Sequence, residues 1–90
     1  SGCVSQAPDK KEQATAACIQ ECQKALNTGQ NLSNGPCLSN KIVEDWVCDV
    51  AHEPRILEID NKPENQCSAW QVTAYHFVEV DPTCKFIRAV

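Results

Sequence analysis

The chain has 90 residues, a formal net charge of −4, seven cysteines, five large aromatic residues and no methionine. So short a chain makes one domain with a modest core, and its acidic balance excludes a nucleic-acid binder, which needs a basic stripe with interleaved aromatics. No run approaches the eighteen or more apolar residues of a membrane span.

Residues 1–8, SGCVSQAP, are small and polar and end on Pro8, so they read as a flexible tether in front of a single domain over 9–90. Ser1-Gly2-Cys3 resembles the end of a lipobox, where prokaryotic surface lipoproteins are cut and lipidated on cysteine. The sequence departs from that pattern in keeping Ser1 and Gly2 ahead of the cysteine. The resemblance makes Cys3 a lipidation candidate; an unpaired or intermolecular cysteine is the alternative. Setting Cys3 aside leaves six cysteines, an even number that can all pair.

Asp9 to Gly29 predicts the principal helix. Asp9 caps the first turn, Glu12 stands three residues on, and Gly29 suits the left-handed position past a helix end. Ala14, Ala17, Cys18, Cys22, Ala25 and Leu26 recur at three- and four-residue steps and define an apolar side. Cys18 and Cys22 therefore point the same way, one turn apart, and do not suit bonding to each other. Each is expected to reach a different segment, one the loop at Cys37 and one the sheet. The short return from the helix end favours Cys22 with Cys37.

Residues 30–41, rich in Asn, Ser, Gly and Pro, predict a loop pinned by Cys37. Within it Asn31-Leu32-Ser33 is an N-glycosylation acceptor pattern, which makes Asn31 a glycosylation candidate. Residues 42–52 predict a strand with Trp46, Cys48, Val50 and His52 on one face and Asp45, Val47, Asp49 and Ala51 on the other. Residues 53–67 read as irregular, with a short edge strand over 55–59 and Cys67 holding the far end.

Residues 69–80, AWQVTAYHFVEV, have the highest strand propensity. Trp70, Val72, Ala74, His76, Val78 and Val80 share one face, and Gln71, Thr73, Tyr75, Phe77 and Glu79 a mixed, half-covered other. Asp81-Pro82-Thr83 forms a turn, and residues 84–90 return as an antiparallel partner. The expected fold is α+β: one N-terminal helix on a three- to four-stranded antiparallel sheet, stapled by three disulfides among Cys18, Cys22, Cys37, Cys48, Cys67 and Cys84. Such bonds persist in oxidising places, so the protein is expected outside the cytoplasm, extracellular or at the cell surface in mature form.

Few residues suggest chemistry. Structural zinc favours two close Cys/His pairs, whereas this chain has C-x3-C at 18 and 22 and then lone cysteines. Cys48 and His52 share a strand face, with His76 expected on a neighbouring strand, so His52 and His76 are weak metal candidates. There is no C-x-x-C for redox work, no glycine-flanked serine and no glycine-rich phosphate loop. No catalytic residue and no cofactor is assigned. Between Glu44 and Glu64 seven acidic residues stand against Arg55 and Lys62, a surface suited to a basic partner or, more simply, to solvation.

DWVCDVAHEPR and HFVEVDPTC make the later half similar to small cysteine-rich secreted proteins predicted in archaeal genomes. That resemblance implies a compartment and no activity. The reading is a non-enzymatic, disulfide-rich binding or structural domain at the cell surface, meeting a protein, glycan or envelope component. It would touch a membrane only through a lipid on Cys3. The alternative is a secreted metal-binding protein or small hydrolase that uses His52, His76 and nearby carboxylates.

Overall fold

A computed structural model of the chain describes residues 9–60 and 62–90. The tether expected over 1–8, with the lipidation candidate Cys3, lies outside the described residues. Helix α1 (Lys10–Asn27) begins where Asp9 Oδ1 accepts the backbone N–H of Glu12 at 2.8 Å. It ends in a Schellman motif, with Gly29 N–H donating to Leu26 O, Gln30 N–H to Ala25 O, and Gly29 at φ 85°. Its buried stripe is Ala14, Cys18 and Cys22, spaced four apart. These small side chains let the helix lie close to the sheet. Leu26, expected on the apolar side, stands 40% exposed because the stripe turns past it in the last turn.

The sheet has strand order β1 (Cys37–Val43), β2 (Trp46–Val50), β3 (His76–Val80), β4 (Phe86–Ala89). The architecture is α+β with one principal helix and three disulfides, but the sheet is mixed rather than antiparallel. β1 and β2 are antiparallel, β2 and β3 parallel, β3 and β4 antiparallel. The parallel pair arises because the chain leaves the end of β2 and travels back over residues 51–75, as parallel neighbours require. That crossover holds α2 (Leu57–Asp60) and a 3-10 turn (Pro63–Asn65).

Four further expectations give way. The loop over 30–41 ends at Cys37, since Ser39, Asn40 and Lys41 sit in β1 at the sheet edge, where polar side chains reach water. The single strand over 42–52 is broken by a Glu44-Asp45 turn in which Asp45 takes φ 73° without glycine. The strand over 69–80 shrinks to β3. Ala69 O accepts the N–H groups of Val72, Thr73 and Ala74, while Asn40 Oδ1 holds Ala69 N–H and Asp45 Oδ1 holds Tyr75 N–H. Tertiary hydrogen bonds thus override a strong strand propensity. The edge strand over 55–59 is replaced by α2, whose start is fixed by Ile56 N–H donating to the buried Asp60 carboxylate.

The disulfides are Cys18–Cys48, Cys22–Cys84 and Cys37–Cys67. Cys22 therefore bonds the segment before β4 and not Cys37. The return after α1 carries Cys37 into the cluster on the far side of the sheet, away from the helix. Strand alternation makes two faces. Trp46, Cys48, Val50, Val78 and Val80 meet the helix, with Leu32 closing the same cluster. Val47 and Phe77 face the crossover, against Cys67, Ala69, Trp70 and Ala74.

Candidate functional site

Six cysteines are consumed in disulfides, so none of them offers a thiolate to a metal or substrate. The two histidines do not meet. His76 is opposite Trp46 in the parallel register, while His52 lies two residues beyond the Val50–Val80 pair. At ~3.3 Å per residue that places them about 20 Å apart. His76 stacks on Trp46, ring centroids 4.7 Å apart, and its Nε2 lies 3.5 Å from Asp45 Oδ2. His52 Nδ1 is 2.8 Å from Asp60 Oδ1. Among the described residues no group of three His, Cys, Asp or Glu side chains is arranged to hold a metal ion.

Asp60 organises the crossover. Its Oδ2 accepts the backbone N–H groups of His52 and Ile56. Burial raises its pKa, but the His52 side chain and these two N–H groups outweigh burial and hold the carboxyl below the usual range. Gly35, at φ 66°, passes directly over it: a Cβ there would sit 3.0 Å from Val50 O and 3.2 Å from Asp60 Oδ1. Asn31 is exposed, and its Oδ1 accepts the N–H of Ser33 at 2.9 Å. The acidic stretch from Glu44 to Glu64 is not one surface, since Asp60 is buried, Asp49 points inward and Asp45 ties the hairpin to Tyr75 and His76.

The concentrated chemistry lies on the crossover face. Register carries one row across the four strands: Cys37 opposite Asp49, Asp49 opposite Glu79, Glu79 opposite Arg88. Above this row opens a cavity of about 160 Å³ lined by Val47, Asp49, Arg55, Gln66, Cys67, Trp70, Phe77, Glu79 and Arg88. Trp70 and Phe77 meet edge to face, centroids 5.1 Å apart, and form its apolar wall.

Its charges cancel in pairs. Arg55 Nη1 donates to Glu79 Oε2 at 3.3 Å, and Arg55 Nη2 to Asp60 O. Arg88 Nη1 lies 3.1 Å from Glu79 Oε1, an ion pair without hydrogen-bond alignment, while Nη2 donates to Glu53 Oε2. Asp49 is different: its Oδ1 is buried and has no hydrogen-bond partner. Burial first, and the Glu79 carboxylate beside it second, push the Asp49 carboxyl up to about 8, against weaker pulls from Val50 N–H and Arg55. At neutral pH Asp49 is therefore mostly a neutral acid, able to donate one hydrogen bond and accept another.

In the sequence Asp49 counts only as one carboxylate of the acidic stretch, paired at most with Asp45, and neither Glu79 nor Arg88 stands out. The available signal was alternation, which put Asp49 beside Val47 and Glu79 beside Phe77 on faces away from the helix. What it lacked was the parallel register that sets the two acids side by side. No protein-family profile, curated protein or solved structure matches this chain.

Proposed function

We propose that this protein is a non-enzymatic, extracytoplasmic binding domain displayed at the cell surface on the 1–8 tether, with the cavity beneath the crossover as its ligand site. The observation that carries the reading is a cavity with an aromatic wall of Trp70 and Phe77, lined also by Asp49, whose Oδ1 is buried without a hydrogen-bond partner. Small binding sites combine apolar walls with a few convergent polar groups. Three disulfides of the kind that persist in oxidising compartments support the location. Cys3 remains the candidate point of lipid attachment, which would be stable with two acyl chains and marginal with one. Glycans, proteins and other envelope components are the partners in view.

A hydrolytic reading draws on one geometric feature, the His52–Asp60 pair, which resembles the base-and-orienter half of a nucleophilic triad. Among the described residues no hydroxyl or thiol hydrogen-bonds to His52, and His76 is too distant to join it.

The test is retention of the intact oxidised chain on isolated envelope material, run beside ester and peptide hydrolysis assays. Saturable retention that Asp49→Leu with Trp70→Ala abolishes, without turnover, is expected. Turnover lost in His52→Ala would overturn the binding reading in favour of the enzyme.

A further inference from the structure

We propose that the cavity beneath the crossover seats one neutral pyranose residue of a glycan. The inference rests on the reading of this cavity as the ligand site and names the ligand class. Size sets the first limit. A cavity of about 160 Å³ is close to the ~150 Å³ that accommodates a single benzene ring in another protein. It holds one six-membered ring, with substituents leaving through the open side.

Charge sets the second. Arg55 and Arg88 are matched by Glu79 and Glu53, and Arg55 also holds Asp60 O. A charged ligand would compete with these pairs, and displacing one leaves an ion part-buried without its partner, which is costly. The polar lining side chains that stand outside these ion pairs are uncharged: the Asp49 carboxyl and the amide of Gln66, whose Nε2 already donates to Asp60 O.

Hydrogen-bond type sets the third. A protonated carboxyl and an amide oxygen that line one cavity ask for a ligand group that both donates and accepts, as a hydroxyl does and a carboxylate or ammonium does not. The hydroxyls of a sugar ring supply both hydrogen-bond types, and its C–H face suits the wall of Trp70 and Phe77. An apolar ring of the same size would serve neither the Asp49 carboxyl nor the Gln66 amide.

The two tryptophans supply the test. Trp70 lines the cavity, and Trp46 is buried on the opposite face as an internal control. The intact ¹⁵N-labelled chain is titrated with the methyl glycosides of glucose, galactose, mannose and N-acetylglucosamine, and separately with benzoate and tetramethylammonium at matched ionic strength. At least one glycoside is expected to shift the Trp70 indole N–H and the Val47 to Asp49 amides saturably, with Trp46 unmoved. Asp49→Leu should weaken that binding about tenfold, the value of one hydrogen bond, while spectral dispersion shows the fold intact. Asp49→Asn, which keeps a donor and an acceptor, should hold affinity within about threefold. Saturation by the charged probes alone overturns the sugar assignment and leaves the binding site standing. No saturation by any probe at Trp70 also overturns it, and envelope retention then decides the broader reading separately.

Discussion

On the helix side of the sheet, Trp46, Cys48, Val50, Val78 and Val80 pack against Ala14, Cys18 and Cys22, and Cys18–Cys48 and Cys22–Cys84 tie the helix across that interface. On the crossover side, the apolar cluster is smaller and adjoins a row of Asp49, Glu79 and Arg88. The first face spends its residues on burial and cross-links. The second holds two carboxyls on adjacent strands, an arrangement that burial and like-charge repulsion both disfavour. The contrast teaches that stability concentrated on one face lets the other keep polar groups beside a cavity.

The largest break in that contrast comes from the helix face. Cys22–Cys84 closes a separation of 62 residues, so replacing both cysteines by serine should cost about 4 kcal/mol on the loop-entropy account. Urea unfolding under non-oxidising-exchange conditions measures it. Gly35→Ala comes next, combining φ 66° with contacts at Val50 O and Asp60 Oδ1; a loss of ~3 kcal/mol is expected from the same unfolding experiment.

The crossover face should respond in the opposite sense. Asp49 binds its proton more tightly folded than unfolded, with the folded carboxyl up at about 8 against the usual 3.8. Between those values the folded state holds more protons, so its contribution to stability falls as pH rises and levels off above 8. Asp49→Asn removes this penalty and should stabilise the domain by ~2 kcal/mol at pH 9, discounted for partial exposure, with little effect at pH 4. Thermal melts at the two pH values compare them; equal shifts at both would contradict a raised Asp49. The smallest effect is at the tip of the covering loop, where exposed Gln71 has φ 61°. Gln71→Gly should raise the melting midpoint slightly, by roughly 0.5 kcal/mol in stability.

The helix was legible because its signals are local: Asp9 ahead of it, Gly29 after it, and cysteines four apart on one stripe. The faces of β2 were legible from alternation at Trp46, Cys48 and Val50. The parallel pairing was not, since nothing local distinguishes a hairpin return from the long crossover that Asn40, Asp45 and Asp60 pin by side-chain hydrogen bonds. Those same three residues look like ordinary surface polar groups in the sequence. The site went unseen for that reason, because Asp49 and Glu79 are thirty residues apart and become neighbours only through that register.

The cross-link pattern decides what a proteolytic cut in the crossover would do. Cys37–Cys67 and Cys22–Cys84 both span the exposed stretch around Arg55 and Lys62. A single cut there leaves two pieces joined by two covalent bonds, so clipping the loop does not release the strands it connects. Reduction, rather than proteolysis, is what takes such a chain apart.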